Sequence, residues 1–194
     1  MNRRNYLKSL VVVGGLGISS FSITKWIGSV GTIRPDKIAE LVHKKALISE
    51  LADTIIPATD TPGAKEAGVG DYIVSVMLNC ADQREQQKFI TGINDLEEYS
   101  TNEYGKTFLE CDATVKHAIL EYFSTSFVPR SRIVRKIEMK IFGQSFYSKL
   151  RELTVEGYCV SRLGATQGLS YDYVPGAYAA CIPLSPLQKS WATK

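Results

Sequence analysis

The sequence predicts a mainly α protein: a small helical bundle with a Gly/Pro- and aromatic-rich extended C-terminal tail. Three observations predict it. Apolar residues recur at helical spacing from about residue 38 to residue 154. A chain of 194 residues can bury one core. Beyond that stretch, glycines 157, 164, 168 and 176 and prolines 175, 183 and 186 oppose a long helix. The chain divides accordingly into a leading segment (1–31), a helical body (32–156) and a tail (157–194).

The first helix is expected over Ile38–Ile56, with Leu47, Ile48, Leu51, Ala52, Ile55 and Ile56 on one face. Pro57 should stop it, because a residue before proline avoids helical geometry. Turn residues fill the stretch from Pro57 to Gly70: Pro57, Asp60, Pro62, Gly63, Gly68 and Gly70. There Pro62-Gly63 forms a turn pair and Asp60 is placed to accept nearby backbone amides. A second helix should run over Asp71–Asn79 with Tyr72, Ile73, Val76 and Met77 inward. A third should run over Asp82–Glu103 on Phe89, Ile90, Ile93 and Leu96. Asp112 suits the N-cap of a fourth, striped by Val115, Ala118, Ile119, Tyr122 and Phe123. The fifth is expected over Ile133–Thr154 on Ile137, Ile141, Phe146, Leu150 and Leu153, with Gly143 as a point of interruption. Tyr158, Tyr171, Tyr173, Tyr178 and Trp191 keep the tail rich in aromatics, which disordered segments lack. The tail therefore lies over its own body or over a partner.

Charge locates the special part of the chain. Of 23 basic residues, Arg3, Arg4, Lys8 and Lys25 fall within residues 1–31, which hold no acid. The rest is about neutral, so nothing points to nucleic acid. Arg130, Arg132, Arg135 and Lys136 read as a solvated helix end. Met1-Asn2-Arg3-Arg4-Asn5-Tyr6-Leu7-Lys8 precedes an apolar run from Leu10 to Ile23, diluted by glycine and serine. That run is short of the roughly 20 residues a bilayer needs. Basic head, short apolar middle and small residues resemble an export signal of the twin-arginine type, carried by Arg3, Arg4, Tyr6, Leu7 and Lys8. The alternative is an anchor helix that stays attached. Ser29-Val30-Gly31 is the best small-x-small cleavage site. The twin-arginine route carries folded cargo, so a signal here can also export a folded partner.

Motifs for chemistry are missing. There is no Cys-x-x-Cys, His-Glu-x-x-His, P-loop or Gly-x-Ser-x-Gly, and Gly14-Gly15-Leu16-Gly17 lies inside the signal. His43 and His117 read as exposed helix-surface residues. No catalytic, cofactor-binding or metal-ligating residue is assigned. The cysteines are Cys80, Cys111, Cys159 and Cys181, whose spacing matches no iron–sulfur pattern. Cys80, near an apolar helix end, suits a buried free thiol. Cys181, in the tail, is reachable. In an oxidising compartment it pairs with Cys159, bridges to a partner's cysteine, or stays free.

Two stretches carry a family resemblance. One is Leu51-Ala52-Asp53-Thr54-Ile55-Ile56-Pro57, followed by Thr59-Asp60-Thr61-Pro62-Gly63-Ala64 and Ala67-Gly68-Val69. The other runs from Leu153-Thr154 and Gly157-Tyr158 through Gly164 to Tyr173-Val174-Pro175-Gly176-Ala177-Tyr178 and Cys181. With the twin-arginine start, they resemble the gluconate 2-dehydrogenase subunit 3 family. The resemblance implies a small, non-catalytic subunit of a membrane-associated dehydrogenase of a sugar, glycoside or sugar acid. Its implied partners are a large FAD-binding subunit of the glucose-methanol-choline type, a cytochrome c subunit carrying haem c, and the twin-arginine export machinery. The implied location is the periplasm, at the inner membrane, held through the complex or an uncleaved N-terminal segment. Partner-facing candidates are Pro57, Asp60, Thr61, Pro62 and Gly63 in the loop, and Tyr173, Pro175, Gly176, Tyr178 and Cys181 in the tail. An autonomous periplasmic enzyme and a stand-alone structural or anchored protein are the competing classes.

Overall fold

The computed structural model describes residues 40–126 and 144–174, together with residues 176, 181, 183, 186 and 188–192. The leading segment, with Arg3, Arg4, Tyr6, Leu7 and Lys8, lies outside the described residues. So do the expected start of the fifth helix at Ile133 and its face residues Ile137 and Ile141.

The fold is mainly helical, as the apolar spacing predicts. Helix α1 covers Lys45–Ile55, preceded by a helical turn at 40–43. It buries Leu47, Ile48, Leu51 and Ala52. Ile56 leaves helical geometry at φ −128° and ψ 85°, as a residue before Pro57 must. Helix α2, Val69–Asn79, starts two residues ahead of expectation. Gly68 turns the chain into it with φ 73°, a left-handed conformation that favours glycine, and Val69 is buried at once.

Helix α3 covers Gln83–Tyr104. The Asp82 carboxylate caps it by accepting the Glu85 N–H at 2.8 Å, and Gly105 ends it at φ 67°. A 3-10 turn at Phe108–Glu110 drives the fully buried Phe108 into the core. Helix α4, Ala113–Ser126, begins where Asp112 accepts the Val115 N–H at 2.8 Å. Its inward face differs from expectation. Ile119, Leu120 and Phe123 are buried, whereas Ala118 and Tyr122 are exposed. Tyr122 instead stacks on Tyr99 of α3, ring centroids 4.3 Å apart and 7° from parallel.

Helix α5 covers Phe146–Val160, capped where Ser145 Oγ accepts the Ser148 N–H. It touches α1, α2, α3 and α4, and so forms the spine of the body. Leu150, fully buried, sits on that spine; truncating such a residue to Ala costs about 2–5 kcal/mol. Helical order runs past residue 156, where the body was expected to end. Gly157 lies inside α5, and Gly164–Gly168 adds a π-helical turn. Gly157 is tolerated there because α2 comes close: a Cβ would lie 2.7 Å from Tyr72 Cδ1. Among the described residues no helix is long and apolar enough to cross a membrane.

Candidate functional site

The loop after α1 is a closed structure. The Ala64 N–H donates to the Ile56 carbonyl at 2.9 Å, sealing the loop at its base. The Thr59 N–H donates to the Thr61 carbonyl at 2.9 Å, making a tight turn at its tip. The carboxylate that holds the loop is Asp53, not Asp60. Asp53 Oδ1 accepts the Lys65 N–H at 3.1 Å, whereas Asp60 accepts the Thr59 hydroxyl, at 3.0 Å. Gly63 is required for space. A Cβ there would lie 2.6 Å from Asp53 Oδ1 and 2.7 Å from the Ala58 nitrogen.

Helix α5 locks this loop from the other side. Tyr158 Oη donates to the Pro62 carbonyl at 2.8 Å. Behind the same ring, a Cβ on Gly168 would fall 2.5 Å from Tyr158 Oη. Gly164 lies over the Tyr158 carbonyl, where a Cβ would come within 2.0 Å of the oxygen. Ser161 ties the turn together: its Oγ donates to the Tyr158 carbonyl at 2.8 Å and accepts the Gly164 N–H at 2.9 Å. The loop, α5 and the π-helical turn therefore meet around one phenol.

An ion network adds to the clamp. Glu50 of α1 receives Lys116 of α4 at 2.7 Å and Lys65 of the loop at 2.8 Å. Lys116, then Lys65, holds the Glu50 carboxyl below the usual carboxylate range. Burial, reinforced by the Glu156 carboxylate, pushes the Tyr72 phenol up.

The tail returns to this assembly. The Ser170 N–H donates to the Ser190 carbonyl, and the Ala192 N–H to the Ser170 carbonyl, both at 2.8 Å. These bonds make a parallel bridge between Ser170 and Trp191. Lys189 Nζ donates to the Gln167 carbonyl. These contacts hold residues 167–170 against residues 189–192.

The partner-facing candidates separate by burial. Pro57 and Asp60 are exposed, Thr61 and Pro62 are half-buried, and Gly63 is buried beneath them. Tyr173, Gly176 and Cys181 are exposed; Pro175 and Tyr178 lie outside the described residues. Cys159 and Cys181 are free, exposed thiols. Cys80 is exposed, because it follows the last turn of α2 on the solvent side; Cys111 is the buried thiol. His43 and His117 are exposed. Among the described residues no three His, Cys, Asp or Glu side chains gather as a metal site.

Tyr158, Asp53, Glu50 and Gly168 were not among the site residues expected from the sequence. A signal for Tyr158 exists: it follows Leu150, Leu153, Thr154 and Gly157 on the buried face of one helix. Its contact with Pro62 spans 96 positions, which no local pattern reveals.

Tyr158 thus joins the start of the second quoted stretch to the first, 51–69. No curated protein and no solved structure gives a significant match to the chain. The family model for gluconate 2-dehydrogenase subunit 3 matches residues 42–176, which take in the loop and the phenol clamp. The chain belongs to the gluconate 2-dehydrogenase subunit 3 family.

Proposed function

We propose that this chain is the non-catalytic small subunit of a periplasmic dehydrogenase complex, binding a large FAD-containing subunit and escorting its export. The observation that carries the reading is the family match over 42–176, whose residues build the clamped loop. The exposed stretch from Pro57 to Asp60 is an ordered edge, fixed from behind by Asp53, Gly63 and Tyr158. Such an edge binds a partner without paying to order itself. Catalysis and FAD belong to the large subunit, which oxidises a sugar, glycoside or sugar acid; a cytochrome c subunit carries the electrons onward. Exposed Cys181 is available to a partner cysteine in an oxidising compartment.

The export half of the reading rests on Arg3 and Arg4. Cells carrying Arg3→Lys with Arg4→Lys are fractionated, and both this chain and the flavoprotein are located by immunoblot. Retention of both in the cytoplasm is the expected result. A flavoprotein that still reaches the periplasm in that variant overturns the escort role.

A further inference from the structure

We infer that the face of α3 and α4 built on Tyr99, Tyr104 and Tyr122 is a docking surface for an arginine- or lysine-bearing segment of a protein partner. It draws on no residue of the Pro57–Asp60 edge.

The three rings form an ordered platform. Tyr99 of α3 and Tyr122 of α4 stack with centroids 4.3 Å apart. Tyr104 stands edge-on to Tyr99 at 6.5 Å. From the core side, the buried Phe123 meets both stacked rings edge-on, at 5.8 and 5.6 Å. That backing holds the rings, yet Tyr122 stays 46% and Tyr104 40% exposed. Rings held in place before a partner arrives lose little entropy on binding. Aromatic side chains also serve as interface anchors.

The charge around the rings selects the partner. Asp95, Tyr99 and Glu103 follow one another in steps of four along α3, which puts them on one helix face. Exposed Glu98 and Glu121 adjoin Tyr99 and Tyr122 in sequence. Asp95, Glu98, Glu103 and Glu121 enter no ion pair among the described residues, whereas Glu97 is held by Lys44. Burial, then Glu98, pushes the Asp95 carboxyl up. Burial, then Tyr104, Glu103 and Tyr122, pushes the Tyr99 phenol up. Negative charge is thus disfavoured on this face as it stands, and a cation beside it relieves that cost.

A side-chain cation suits both parts of the face. The face of an aromatic ring is the negative part of its quadrupole, so a guanidinium or ammonium group is drawn to the rings and the carboxylates alike. Arginine also lies flat on a ring and forks onto a carboxylate. A nucleic acid or other polyanion is repelled. Sugar hydroxyls need donors as well as acceptors, and these carboxylates only accept. Among the described residues no three His, Cys, Asp or Glu side chains gather to hold a bare metal ion.

The test uses the full chain and a fluorescein-labelled Gly/Ser peptide carrying spaced arginines. The control peptide replaces each arginine by citrulline, its uncharged isostere. Binding is read by fluorescence anisotropy and folding by melting temperature. Wild type is expected to bind the arginine peptide at least about tenfold more tightly than the citrulline peptide. Tyr104→Leu with Tyr122→Leu is expected to weaken arginine-peptide binding about three- to tenfold, whereas Tyr122→Phe, which keeps the ring, retains it. Glu98→Gln with Glu103→Gln is expected to weaken it as well. Equal binding of the two peptides, or no binding of either, overturns the docking role. So does a double leucine variant that binds as wild type, since the attraction would then be charge alone. If the leucine variant does not fold, Tyr122→Phe and the citrulline comparison still decide: loss of binding in the first, or no preference in the second, overturns the role.

Discussion

The hydroxyl of Tyr158 donates to the carbonyl of Pro62 at 2.8 Å, joining the last long helix to the loop after the first. Tyr158→Phe keeps the ring and deletes that bond. The loss is expected to cost about 1 kcal/mol, read as a fall of roughly 2–4 °C in melting temperature. An unchanged melting temperature would show that the phenol does not clamp the loop.

Glycines in this region differ in what they do. Gly63→Ala pushes a methyl onto Asp53 and the Ala58 backbone, and is expected to destabilise the chain by about 1–3 kcal/mol. Gly176→Ala meets nothing within 4 Å and should stay within about 0.5 kcal/mol of wild type. Urea titration of the two variants checks the contrast.

Glu50 gives the body an acid-side dependence. Lys116 and Lys65 hold its carboxyl below the ordinary value of 4.5. A depressed carboxyl contributes stability above its unfolded value and loses it as pH falls through its folded value. Wild type should therefore exceed Glu50→Gln in stability at neutral pH, and the gap should close as pH falls below about 4.5. Melting curves from neutral to acidic pH measure it.

Thiol reactivity tests the burial pattern. In the reduced native chain, Cys80, Cys159 and Cys181 should react with a water-soluble maleimide. Cys111, buried with its sulfur 3.5 Å from Ser100 Oγ, should react only after denaturant is added. Peptide mapping of the labelled chain distinguishes the four.

Much of the fold was legible locally. Pro57 stops the first helix and Asp112 caps the fourth, as expected, because caps and stops act within a few residues. The facing of α4 was not legible. Its apolar residues fit two overlapping stripes, and burial of Leu120 with exposure of Ala118 is decided by packing on α1, α3 and α5. Gly157 marked the end of the helical body in sequence, yet in the fold it is a close-approach site for Tyr72. The loop at Pro57–Gly70 was identified from its turn residues, but its holding carboxylate was misplaced. Asp53 lies in α1, outside the loop, and reaches Lys65 only once the chain has turned back.

The central claim is that this chain exists to bind a flavoprotein. Native mass spectrometry of material purified through a tag on this chain, from cells expressing its neighbouring reading frames, measures that directly. The expected result is a complex of this chain with a large subunit whose mass includes FAD, dissociating when Pro57 and Asp60 are replaced together by Ser and Lys. A chain that emerges alone, while the flavoprotein is folded and exported without it, would contradict the account.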